Sequence, residues 1–177
     1  MNIFVTNTCS KMAAQALDNK RVVKMVLETA QLLSTAIFIN NSDTTYDDIY
    51  KPTHIKHPCT IWASLNLGNW DWLFEHFVAL CGEYSFRYYK QHASEKISSY
   101  LLKYRTCIKN GEMTTFANCT RSEILQIDFK HINDTCEAYK QYLNSKWYYD
   151  KSPPKWINRE PPLWYNHDLQ NINETSR

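Results

Sequence analysis

The sequence predicts an all-α protein: a compact single-domain helical bundle ending in an extended aromatic and basic tail. Three observations carry this reading. Between Ser10 and Tyr148, long stretches place apolar residues at helical rather than alternating spacing. The chain holds only three glycines, few for strand-and-turn architectures and for Gly-rich phosphate loops. Its 177 residues fit one domain with a real core. The domain is expected over residues 1–165, with a flexible tail at 166–177.

The elements follow in order. Ile3 to Thr6 is a short apolar, β-branched run and predicts a brief extended start, with a minor hairpin near the N-terminus as an option. Ser10 is expected to cap a first helix through Leu17, and Asp18 a second that runs toward Ile39. Asn40 to Asp48, "NNSDTTYDD", is polar loop. Pro52 breaks the chain, and Pro58 suits the first turn of a new helix. A long helix is expected over about Asn69 to Gln91 and another from Ser94 to Ile108. Asn110-Gly111 marks a turn. A last helix should run from about Asp134 to Tyr148. Beyond it two Pro-Pro pairs impose extended chain.

Bulk properties narrow the function. The net charge is only +2, so any nucleic-acid surface must be a local patch. No apolar run is expected to span a membrane, and the N-terminus shows no signal pattern; a soluble intracellular protein is the expectation. The cysteines, Cys9, Cys59, Cys81, Cys107, Cys119 and Cys136, form no C-x-x-C pair and no zinc spacing, and read as reduced, mostly buried thiols. G-x-S-x-G, P-loop and H-E-x-x-H patterns are absent, which excludes the hydrolases and kinases they mark. Aromatics reach 14% of the chain, for stacking and recognition or for filling a small helical core.

At roughly 100° per residue, Val22, Val23, Val26, Ala30, Leu33 and Ile37 share one face of the second helix. Arg21, Lys24, Glu28 and Gln31 share the opposite one. That charged row is either a solvated i,i+4 surface or a working carboxylate with Arg21 and Lys24 beside it to meet phosphates and keep it ionised. On the long helix, Trp70, Leu73, Phe77, Leu80 and Tyr84 form the apolar stripe. Asn69, His76, Glu83 and Arg87 line its border. Polar groups there must find partners, either in a structural network or as the floor of a pocket. "HIKHPC" offers His54, His57 and Cys59, but no second cluster completes a metal site; a histidine at a helix start that bonds backbone or phosphate fits better. "KWYYDKSPPKWINREPPLWY" interleaves Lys146, Lys151, Lys155 and Arg159 with Trp147, Tyr148 and Trp156. It suits either a nucleic-acid face or an aromatic strap.

Three blocks, "LDNKRVVKMVLETAQLLSTA", "HPCTIWASLNLGNWDWL" and "ALCGEYSFRYYKQH", resemble a phage protein family similar to the pyrimidine-dimer DNA glycosylases (endonuclease V-like). The resemblance implies a compact helical fold and action on DNA. It implies a glutamate on an early helix, best matched by Glu28, that stabilises the sugar cation. It also implies an N-terminal α-amine that attacks C1′ and forms a Schiff base. Asn2 stands where that family carries the threonine that supplies the amine. Arg21 stands where it carries a histidine, and Leu27 where it carries an arginine.

The resulting expectation is a DNA N-glycosylase, with abasic-site lyase activity as an option, on damaged or modified bases in duplex DNA. Glu28, Asn2 and Arg21 are its catalytic residues. Lys20, Lys24, His57, Asn69, His76, Glu83 and Arg87 bind substrate, and Trp147, Tyr148 and Trp156 stack on DNA. No cofactor and no metal are expected. The chain is expected to be a monomer, free of membrane, in the cytoplasm of an infected host cell. Two alternatives stay open: an enzyme acting on a nucleotide or another N-glycosidic bond, and a non-enzymatic phage protein that binds a host factor.

Overall fold

The computed structural model describes residues 1–42 and 46–166. Helix α1 spans Ser10–Ala16 and α2 Asn19–Asn40; α3 spans Pro58–Leu65 and α4 Leu67–Tyr88. A 3-10 turn at Ala93–Ile97, the short α5 at Ser98–Tyr104 and a second 3-10 turn at Arg105–Cys107 follow. Strands β1 (Arg121–Ser122) and β2 (Ile127–Asp128) form a two-residue antiparallel ladder, and α6 spans Thr135–Tyr149. The fold is all-α, as expected.

The apolar faces of α2 and α4 make the centre. Val22, Met25, Val26, Ala30, Leu33 and Ile37 join Trp70, Leu73, Phe77 and Leu80 in one buried cluster. Each large apolar side chain wholly buried there contributes about 1.5–3 kcal/mol, against a few tenths for an exposed ion pair on a helix. Apolar registry therefore decides how the two helices pack. The Trp70 indole N–H also donates to the Leu33 carbonyl, 3.4 Å away. By length and composition α2 could cross a membrane, with a mean hydropathy of 1.6 in its most apolar window, contrary to the expectation that no run would. It is a mostly buried core helix in this fold.

Several local expectations are corrected. Val23 is exposed and Arg21 is buried, because α6 and the tail cover the start of α2 on the side that carries Arg21. Asp18 sits at the N-cap of α2 but bonds no helix amide through its side chain; its carboxylate is held by Arg21 and Trp147 instead. Ser10 is the first residue of α1 rather than its cap, and its hydroxyl meets Glu75. The helix expected from Ser94 to Ile108 breaks into 3-10, α and 3-10 pieces. The hairpin lies after residue 120, not near the N-terminus, where residues 2–6 are buried irregular chain with a left-handed turn at Phe4 and no strand pairing. Asp134 does cap α6, accepting from the Cys136 and Glu137 amides.

The polar border of α4 is interior wiring. Asn69 is fully buried, donates to the Trp62 carbonyl and accepts from the Thr114 amide at 2.7 Å. It holds segment 109–118 across the start of α4, where the Leu67 and Gly68 amides donate to the Lys109 and Gly111 carbonyls. Gly68 permits that approach, since a Cβ there would collide with the Met113 backbone. Arg87 donates to the Leu17 and Gln15 carbonyls and to Glu83, which also binds Arg159 of the tail. These bonds tie the α1–α2 junction, α4 and the tail together.

His76 is also fully buried. It stacks on Trp72, its Nδ1–H donates to the Ser10 carbonyl at 2.9 Å, and its Nε2 has no partner among the described residues. Burial drives its pKa down to about 4, against an ordinary value of about 6.5. The unfolded chain thus binds a proton in this interval that the folded chain refuses. His76 costs nothing above its ordinary pKa and removes stability progressively as pH falls toward its folded value. Between about pH 7 and about pH 5 the loss should be about 2 kcal/mol. His76→Asn, which keeps a donor for Ser10, should flatten that slope. Urea unfolding of both proteins at the two pH values tests this, and parallel slopes would refute it.

Residues 150–166 fold back as a strap. The Trp156 indole N–H donates to the Ala16 carbonyl, and the Asn19 amide donates to the Lys155 carbonyl. Beyond Asn166, the tail expected to be flexible lies outside the described residues.

Candidate active site

The exposed edge of α2 presents Lys20, Lys24 and Glu28 one turn apart. Lys24 Nζ lies 3.0 Å from Glu28 Oε1; the Lys24 side chain is 68% exposed and that of Glu28 only 14%. The carboxylate is therefore partly enclosed while its partner reaches into solvent, which the helical spacing alone could not reveal.

His57 comes from the other side, at the start of α3. Pro58 occupies the first helical turn, and His57 Nδ1 accepts from the Cys59 amide at 3.2 Å as the N-cap. Burial lowers the His57 pKa, repulsion from the N-terminal ammonium and His54 lowers it further, and Glu28 opposes them. The ring is neutral near neutral pH, and the N-terminal amine and Glu28 both act on it. Asn2 shapes this corner: Oδ1 accepts from the Ile3 and Phe4 amides, and Nδ2 donates to the Cys119 carbonyl. That turn accommodates the left-handed backbone of Phe4, φ 46°, and sets the direction of the N-terminus.

Cations gather along the same side. Lys146 of α6 is half-buried over the Tyr142 ring. Burial lowers its pKa first, with Arg21, Lys24 and Lys20 lowering it further and Asp150 opposing. Lys20 pairs with Asp150 at 3.2 Å, and Arg21 with Asp18 at 2.9 Å and Asp150 at 3.0 Å. The carboxylates lie inward, and the Lys20 side chain is 71% exposed, so the outermost charges are positive.

The expected site residues separate into two groups. Lys20, Lys24 and Glu28 follow one another along α2, with Lys24 paired to Glu28, and the charges of Glu28 and the N-terminal amine both act on His57. Arg21 is buried in its ion pairs under α6, its guanidinium 5.8 Å from the Trp147 ring centre. Asn69, His76 and Arg87 are buried as described, and Glu83, bound to Arg87 and Arg159, lines the cleft beside Phe74 and Phe86 rather than a site with Glu28. Trp147 is wholly buried. It stacks on Trp164, meets Trp156 and Tyr165 edge-on, and donates to Asp18 at 2.9 Å, leaving no ring face for a base. Trp156 is half-buried in the same cluster, and Tyr148 packs edge-on against Tyr149. The aromatic surplus of the tail thus serves chiefly as a strap. Clefts of about 640 Å³ beside Phe74 and Phe86 and about 570 Å³ beside Trp164 do not contain Glu28.

Sequence reasoning missed Cys119. Its thiol lies 3.5 Å from that of Cys59, and with His57 the three ligand-type atoms lie within 4.8 Å of one another. The hydrogen bond between the thiols lowers the Cys119 pKa and raises that of Cys59, which burial raises further. No spacing signal links residues this far apart.

A carboxylate, a neutral imidazole and an α-amine beside exposed cations equip a helical protein for acid–base and amine chemistry on an anionic substrate. The sequence model of the family described as pyrimidine dimer DNA glycosylase matches residues 1–96, more than half of the chain, and the protein belongs to that family. Membership places it among DNA-binding repair glycosylases. Neither the curated proteins nor the solved structures contain a match. The matched region includes Lys20, Lys24, Glu28, His57 and Cys59. Cys119, Lys146 and the aromatic strap lie beyond it.

Proposed function

We propose that the protein cleaves the N-glycosidic bond of a pyrimidine dimer in duplex DNA and then nicks the abasic strand. The observation that carries this reading is the family match over residues 1–96, which contains the partly enclosed Glu28 paired with Lys24; the charges of Glu28 and of the N-terminal amine both act on His57. As the C1′–N1 bond breaks, its electron pair goes to the pyrimidine ring and C1′ becomes oxocarbenium-like. Glu28 stabilises that cation. The N-terminal amine attacks C1′ and loses a proton; the C1′–O4′ bond then breaks, O4′ takes up a proton, and the opened sugar is left as an iminium. The iminium acidifies C2′–H; removal of that proton expels the 3′ phosphate and breaks the strand. Glu28 is the base that takes the proton. Reaching C1′ requires the duplex to be bent or a nucleotide extruded, and Lys20, Lys24 and Lys146 hold the displaced backbone.

The test uses a duplex oligonucleotide with one cyclobutane pyrimidine dimer. Because the ring still links the freed base to its neighbour, product is read as strand cleavage and as a borohydride-trapped adduct. The expected adduct maps to the N-terminal peptide, and its mass tells whether the amine belongs to Met1 or Asn2. Neither product from dimer-containing DNA would return Glu28 to the role of a solvated helix face.

The lysines give a separate prediction. Lys20→Gln with Lys24→Gln should weaken duplex binding and reduce the slope of log K against log salt. The reduction should be roughly 0.9 for each phosphate no longer neutralised, about 1.8 for the pair. An unchanged slope would place the DNA path elsewhere.

A further inference from the structure

The His57, Cys59 and Cys119 cluster is not used by the glycosylase reaction as a set. The two thiols are free and their sulfurs are 3.5 Å apart, far beyond a disulfide bond of about 2.05 Å. That separation is close to the edge of a tetrahedron with metal–sulfur bonds of about 2.3 Å, roughly 3.8 Å. All three ligand-type atoms lie within 4.8 Å of one another, so small shifts would bring them onto one ion.

The surroundings hold these groups in place. Cys59 is wholly buried and is the second residue of α3. Cys119 is fixed through its backbone: its amide donates to the Tyr139 hydroxyl, that hydroxyl donates to the Ala117 carbonyl, and Asn2 donates to the Cys119 carbonyl. Tyr139 is itself wholly buried. Because Nδ1 of His57 accepts a hydrogen bond, its neutral ring carries the proton on Nε2. An ion takes that Nδ1 lone pair in exchange for the Cys59 amide, at the cost of one hydrogen bond.

We propose that His57, Cys59 and Cys119 form a three-ligand site for a thiophilic divalent cation of the zinc class, with water in the fourth position. Two soft sulfurs and one imidazole select such an ion over magnesium or calcium, which prefer oxygen. The ion joins the start of α3, inside the family match, to segment 117–120 outside it. It does so beside the N-terminal segment that Asn2 anchors.

Cobalt(II) added to the full-length, reduced protein is the probe. The expected result is one cobalt per chain with a thiolate-to-metal charge-transfer band, displaced by zinc. The band should be lost in Cys119→Ser and in His57→Gln and kept in Cys81→Ser. Tyr139→Phe, which removes only the hydroxyl that positions Cys119, should weaken binding by about 10-fold or more. Zinc should also raise the Tm of the wild type and not of Cys119→Ser. Circular dichroism of each variant shows that it is folded; Cys119 is only half-buried, so its serine variant is the one to rely on. Absence of the band, its survival in folded Cys119→Ser, or a Cys59–Cys119 disulfide under the same reducing conditions would each overturn the proposal. These readouts need no DNA, so their failure is separate from failure of the glycosylase reading.

Discussion

Glu28→Gln is expected to slow glycosidic cleavage by about 10²–10⁴-fold while leaving the fold and DNA affinity nearly unchanged. The substitution keeps the volume and removes the charge that meets the developing C1′ cation. Its stability cost is small, because the ion pair it breaks is with Lys24, whose side chain is 68% exposed, and such pairs are worth up to about 1 kcal/mol. Single-turnover rates on dimer-containing duplex, with binding and Tm measured in parallel, isolate the chemical step. A near-wild-type rate would remove Glu28 from the mechanism and leave its pairing with Lys24 as its whole role.

Trp147→Ala should destabilise the protein by about 3–5 kcal/mol. The ring is wholly buried between α2, α6 and the strap, with Trp164 5.5 Å from it and Trp156 and Tyr165 edge-on. Its indole N–H holds the Asp18 carboxylate together with Arg21. Trp147→Phe should cost less, since it retains much of the packing and gives up only the bond to Asp18 and part of the ring. Denaturant unfolding reads both. If Trp147→Ala unfolded like the wild type but bound DNA weakly, Trp147 would stack on DNA as its composition suggested.

The tryptophans of the tail mark a place where the sequence is ambiguous. Cations interleaved with rings describe a DNA face and an aromatic strap equally well, because composition does not say which ring faces close against one another. The same limit holds on α4. Helical spacing marks Asn69, His76, Glu83 and Arg87 as polar groups at a core boundary. Glu83 and Arg87 do meet as an i,i+4 pair, but the other partners, Thr114, the Ser10 carbonyl, Arg159 and the Leu17 carbonyl, are each remote along the chain. On α2 the period places Val22, Val26, Ala30, Leu33 and Ile37 correctly in the core. It misplaces Val23 and Arg21, because the hydrophobic wheel cannot see α6 and the tail close over one end of the helix.

Local spacing was enough to make the protein helical, to locate its long helices roughly, and to set Glu28 beside Lys24, since residues three or four apart meet on a helix. The same stretch carries the resemblance that singles out Glu28. Folding in three dimensions was needed to enclose Glu28 partly, to bring His57 under the influence of both Glu28 and the N-terminal amine, and to make Arg21 a buried strut. It also brought Cys119 to Cys59 and His57. Such meetings depend on how whole faces bury their apolar surface against each other, a global minimum that spacing along the chain does not record.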